Sequence, residues 1–120
     1  MSKPVLVVDD DRAIREILEE ALADEGYEVD LAGDGVEAID KVNHRRPELI
    51  LLDWMMPRMD GEAFADELDR RGLRPAIPIL ILTAAGNAQQ KAERIGAEGY
   101  VTKPFELPRL LDEVARLVPA

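Results

Sequence analysis

Four apolar runs in this chain each end on a residue suited to phosphoryl chemistry: VLVVDD closes on Asp9 and Asp10, LILLD on Asp53, ILILT on Thr83 and YVTKP on Lys103. A hard divalent cation such as Mg2+ takes carboxylate, water and phosphate oxygens. Asp10 and Asp53 are the natural carboxylates for it, with Mn2+ as the alternative. Three carboxylates within about 5 Å would repel by roughly 3 kcal/mol per pair at an effective dielectric near 20, so the cluster calls for a cation. Asp53 ends the most apolar run, where its position is best fixed, and is the candidate nucleophile. Carboxylates accept phosphoryl groups when positioning and charge neutralisation are supplied, and Lys103 would contribute the second. Thr83 would donate its hydroxyl to the new phosphoryl oxygens, and drawing it inward would shift the loop that follows it. Tyr100 would swing into the space Thr83 leaves.

Residues this far apart meet only if their runs are neighbouring parallel strands, whose carboxyl ends open onto one crevice. Pro4 to Val8 reads as a first strand, and Ile14, Ile17, Leu18, Ala21 and Leu22 follow at helical spacing. Asp11 is suited to cap that helix and Gly26 to end it. Glu28 to Ala32 reads as a second, more polar strand, which predicts a sheet edge. Val36, Ala38, Ile39 and Val42 form the next helical stripe. Leu49 to Leu52 is apolar throughout, as a strand covered on both faces must be, and Phe64, Ala65 and Leu68 follow on a helix that stops near Gly72. Pro75 and Pro78 confine the fourth strand to Ile79–Leu82. The fourth helix, Asn87 to Ile95, has few large apolar anchors, which predicts thin packing and easy displacement. Gly99 to Thr102 is the fifth strand, and Leu107, Leu110, Leu111, Val114 and Leu117 line the last helix. Five βα units with right-handed crossovers give an α/β fold, a parallel sheet with helices on both faces.

The 120 residues fit one domain, 1–120, and the hydrophobic content of 47% suffices for one core. A net charge of -10 repels nucleic acid and anionic lipid, so neither is expected to bind this segment directly. No run is long enough to span a bilayer, and Met1-Ser2-Lys3 leads into the first strand without a signal-peptide core, so a cytoplasmic location is expected. Without cysteine there is neither a disulfide nor a thiolate metal site. His44, beside Arg45 and Arg46 before Pro47, reads as plain loop surface. Arg70, Arg71 and Arg74 read as cations at a helix end. Met55, Met56 and Met59 read as loop packing which, with Pro57, would also adapt to a partner.

VLVVDDD, LLDWMMPRMDG, LILTA and GYVTKPF, in this order and covering essentially the whole chain, closely resemble the receiver domain of two-component response regulators. The resemblance implies a doubly wound, flavodoxin-like fold with five strands in the order 2-1-3-4-5 and five helices. It further implies that Asp53 is the phospho-acceptor, that Asp10 ligates the metal directly and Asp9 largely through water, and that the backbone carbonyl of Met55 is a further ligand. Thr83 would be the switch hydroxyl, with Tyr100 coupled to it, Lys103 the phosphate-binding cation, and the Lys103–Pro104 bond cis. The phosphoryl donor would be a histidine kinase or phosphotransfer protein. The face of the fourth helix, fifth strand and fifth helix would serve a homodimer or an output domain. Met55 and Ala85 occupy positions where polar residues place the hydrolytic water in this family, and neither can do so, which predicts a long-lived phosphorylated state.

Three rivals fit less well. An aspartate-nucleophile phosphatase needs a second Asp two residues after the first, where this chain has Met55. A flavodoxin-like electron carrier needs a hydroxyl- and glycine-rich loop where Asp9, Asp10 and Asp11 stand. A degenerate, purely structural receiver would lack a site residue, and none is missing. The chain is thus expected to be a phospho-acceptor switch rather than a turnover enzyme.

Overall fold

In the computed structural model, which describes residues 4–56, 58–74, 76–84 and 86–119, five strands alternate with five helices. They are β1 (Pro4–Val8), α1 (Arg12–Asp24), β2 (Glu28–Ala32), α2 (Gly35–His44), β3 (Leu49–Asp53), α3 (Gly61–Arg70), β4 (Ile79–Ala84), α4 (Ala88–Ile95), β5 (Gly99–Lys103) and α5 (Leu107–Leu117). The readings placed on residues 1–3, Pro57, Pro75, Ala85 and Ala120 lie outside the described residues.

All four strand pairs are parallel, in the order β2-β1-β3-β4-β5, the doubly wound arrangement that the resemblance implied. The polar strand β2 is indeed at an edge. Strand alternation explains why the central runs are apolar throughout, since successive side chains face opposite layers. Leu6, Val8, Ile50, Leu52, Ile79 and Ile81 pack against α2, α3 and Ala92 of α4. Val5, Val7, Leu49, Leu51, Leu80 and Leu82 pack against Leu18 and Leu22 of α1 and Leu110 and Val114 of α5.

The helix signals hold in detail. Asp11 accepts hydrogen bonds from the amides of Ala13 and Ile14, satisfying two free donors of the first turn of α1. Gly26, just past that helix, has φ +96, a left-handed conformation that side-chain-bearing residues avoid. Helix α4 is thinly packed, as its sequence implied: Ala88 and Ala92 are buried, Ile95 is partly buried against the core, and its N-cap residue Asn87 makes no side-chain cap bond.

One sequence expectation is corrected and two charged residues prove to do more than the sequence implied. His44 is not in a loop but ends α2, because backbone bonding continues past the last apolar residue, Val42, to the Arg45 amide donating to the Lys41 carbonyl. His44 is surface-exposed as expected, and its neighbour Arg45 meets Glu28 at 3.0 Å and Asp30 at 3.1 Å, lacing α2 to the edge strand. Arg74 reaches the last turn of α3 through Asp69 at 3.9 Å, and it also serves a second helix. It lies beyond α3 and donates to the Gly96 carbonyl at 2.9 Å, capping the far end of α4.

Candidate functional site

The run Asp9-Asp10-Asp11 divides its work by burial. Asp9 follows β1 directly and is wholly buried, Asp10 is exposed, and Asp11 is spent on capping α1. Asp9 is held from several directions. Its Oδ1 accepts from the Asp11 amide at 2.9 Å, its Oδ2 from Lys103 Nζ at 2.7 Å, and its carbonyl from Arg15 Nη1 at 2.7 Å. Arg15 is a positioning contact that the helical stripe gave no reason to expect.

Asp53, the last residue of β3, is 6% exposed, and its Oδ1 lies 3.4 Å from Lys103 Nζ. Carboxylate oxygens of Asp9, Asp10 and Asp53 lie within 4.8 Å of one another. Burial, the charge of Asp9 and a hydrogen bond with Asp10 push the Asp53 pKa up from 3.8 to about 6, against the opposing pull of Lys103. Burial would lower the Lys103 pKa, but the hydrogen bonds and charges of Asp9 and Asp53 outweigh it and raise it. The cluster thus carries more negative charge than one ammonium neutralises. A compact set of hard oxygen donors under mutual repulsion is what Mg2+ or Mn2+ fits, and sulfur and imidazole ligands are absent from it.

The loop after Asp53 is fixed by close packing. A Cβ on Gly61 would come within 3.1 Å of Trp54 Cα, so a side chain there would have to push the start of α3 and this loop apart by a few tenths of an ångström. A Cβ on Gly35 would meet Met59 at 2.7 Å, where α2 begins. Arg58 Nε also donates to Asp34, the α2 cap, at 2.9 Å, and this strap was not foreseen. Met55 lies in the same loop, with its side chain 71% exposed.

Alternation divides the remaining residues between the two faces of the sheet. Asp53 and Lys103 share the parity of Leu51 and Val101, on the α1/α5 side. Thr83 shares the parity of Ile81, on the side of α4, and Tyr100 packs in that same layer. Thr83 is 2% exposed and accepts a hydrogen bond from Lys91 Nζ of α4 at 3.1 Å. Lys91 also lies over the Trp54 ring, 5.8 Å from its centroid. Nothing in the sequence marked Lys91, because its partners are contributed by other strands.

A groove of about 510 Å3 borders Lys103, lined by Ile14, Ile17, Pro104, Phe105 and Leu107. The Lys103–Pro104 peptide is cis. Among the described residues no helix is long and apolar enough to cross a membrane.

The sequence matches the family described as the response regulator receiver domain over residues 5–115. It is 45% identical over 120 residues to response regulator MprA of Mycobacterium tuberculosis, covering 98% of this chain and 51% of that protein. The chain therefore spans about half the length of the curated relatives it matches. Among solved structures, Vibrio cholerae chemotaxis protein CheY4 superposes with a TM-score of 0.90 at 35% identity, covering 98% of this chain and 100% of that one. The receiver domain of NtrX from Brucella abortus superposes with a TM-score of 0.86 at 35% identity, covering 95% and 97%.

Proposed function

Because the chain belongs to the response regulator receiver family, we propose that Asp53 is its phospho-acceptor and that the acids around it form a Mg2+ site, with Mn2+ able to substitute. The observation that carries this reading is the convergence of Asp9, Asp10 and Asp53 within 4.8 Å, with the Lys103 ammonium 2.7 Å from Asp9 and 3.4 Å from Asp53. Asp10 and Asp53, with the Met55 carbonyl, would hold the cation, and Asp9 would act largely through water. When bound, such a cation neutralises both the acids and the incoming phosphoryl oxygens.

The chain's own residues account for the rest. An Asp53 carboxylate oxygen forms the new O–P bond as the N–P bond of a phosphohistidine breaks, and the departing imidazole keeps the electron pair and takes a proton. The raised pKa of Asp53 makes its ionised form a costly, weakly solvated nucleophile, and Lys103 stabilises that form. Lys103 also provides a fixed positive charge for the phosphoryl oxygens. Thr83 then donates its hydroxyl to the group, with Tyr100 adjusting in the same layer.

The phosphoryl donor is a histidine kinase or phosphotransfer protein in the cytoplasm. The groove of Ile14, Ile17, Phe105 and Leu107 would give that partner an apolar footing beside Lys103. The protein acts as a phospho-acceptor switch that assists its own phosphorylation and dephosphorylation, with 1–120 as one receiver domain. Its output is altered affinity along the face of α4, β5 and α5, for a second copy or an output domain. Incubation with Mg2+ and phosphoramidate tests this. A labile mass gain mapping to Asp53, and lost in Asp53→Asn, is expected; label on another residue refutes the assignment.

A further inference from the structure

We propose that Lys91 is a positioning residue that latches the Thr83 hydroxyl in its resting place and so ties the position of α4 to the state of Asp53. This rests on the phospho-acceptor reading of Asp53 and adds to it a residue that acts through Thr83. Two contacts carry it. Lys91 Nζ donates to Thr83 Oγ1 at 3.1 Å, and the same ammonium stands over the ring of Trp54, the residue directly after Asp53. Lys91 therefore bridges the loop behind the acceptor, the end of β4 and α4.

The geometry makes this bond compete with phosphorylation. Thr83 has the parity of the α4 face, whereas Asp53 has the parity of the α1/α5 face, so the hydroxyl oxygen must move toward the strand ends to reach a phosphoryl group on Asp53. That movement lengthens the bond to Lys91 unless α4 moves as well. Little else resists a shift of α4. It buries two alanines, its one large apolar anchor is the partly buried Ile95 in its last turn, its N-cap residue Asn87 makes no side-chain cap bond, and two polar ties join it to its neighbours: Arg94 to Glu62 at 3.2 Å and Arg74 to the Gly96 carbonyl. In a helix with so little apolar anchoring its few polar ties weigh heavily, and Lys91–Thr83 is the one whose acceptor would be pulled toward the phosphoryl group.

The lone tryptophan of the chain, Trp54, provides the readout. Wild type, Lys91→Met, Thr83→Val and the double variant are titrated with beryllofluoride in excess Mg2+, and midpoints are taken from Trp54 emission, so that amplitude changes from losing the ammonium do not matter. Removing the latch should tighten beryllofluoride binding about three- to tenfold, the factor that one net hydrogen bond supplies. On the Thr83→Val background the same substitution should change the midpoint by less than about twofold, within the usual additivity error. Lys91→Arg, which keeps a donor, should return the midpoint toward wild type. Equal midpoints for wild type and Lys91→Met, weaker binding by Lys91→Met, or tightening that persists without the Thr83 hydroxyl would overturn the latch. If wild type itself fails to bind beryllofluoride, the phospho-acceptor reading falls first and the latch with it.

Discussion

Replacing Asp53 by Asn should make the metal-free protein more stable at neutral pH, although the substitution removes an acid paired with Lys103. Burial and the neighbouring carboxylates set the sign. An acid whose pKa is raised on folding, here from 3.8 to about 6, keeps a proton in the folded chain that the unfolded chain has already released. Between those values the unfolded state binds fewer protons, so stability falls as pH rises and the deficit is complete above about pH 6. The full difference is worth about 3 kcal/mol, and water at the rim of the cleft screens it to about 1–2 kcal/mol. An asparagine side chain at this position cannot ionise and escapes this penalty, while Lys103 keeps its bond to Asp9. In EDTA at pH 7.5 the variant should melt roughly 4–8 °C above wild type, and the gap should close by pH 4, provided both proteins remain folded there. Mg2+ should reverse the ranking, because ligand binding stabilises whichever folded state holds it. Urea titrations at both pH values, with and without Mg2+, provide the check. A variant no more stable than wild type at pH 7.5, or a gap that persists unchanged at pH 4, would refute the electrostatic reasoning.

Lys103→Met should leave the buried Asp9 without its cation, lower stability by roughly 1–3 kcal/mol and raise the Asp53 pKa further, which carboxyl NMR titration would read. Phosphorylation from phosphoramidate should fall sharply, and an unchanged yield would remove Lys103 from the mechanism. Gly35→Ala places a Cβ about 2.7 Å from Met59 and should cost about 1–3 kcal/mol by overpacking, with weaker Mg2+ affinity because the loop bearing Met55 is displaced. Urea midpoints and Trp54-monitored Mg2+ titration measure both. Phosphorylated Asp53 should persist for minutes or longer, since the Met55 thioether cannot orient a water. Decay of radiolabel within seconds would contradict this.

The element order was legible from the sequence because it rests on local signals. Valine-rich runs, the Asp11 cap, the left-handed Gly26 and the stripe on each helix depend on residues a few positions apart, and the chain prints those distances directly. The acidic cluster and its lysine were legible for a related reason: Asp9, Asp10, Asp53 and Lys103 all close strand-like runs, and parallel strands bring such ends together. Strand order came from the family resemblance, since alternation alone leaves several orders open.

Distances across the sheet were a different matter. Register and parity put Asp53 and Lys103 on one face and Thr83 and Tyr100 on the other, and only that division sets Thr83 against Lys91 of α4. The grip of Arg15 on the Asp9 carbonyl, the strap from Arg58 to Asp34 and the reach of Arg74 to α4 likewise join residues whose local surroundings read as ordinary charged surface. Sequence periodicity states which way a side chain points relative to its own element. What stands opposite it is decided by how the elements pack, and in this protein that packing settled the partner of the Thr83 hydroxyl.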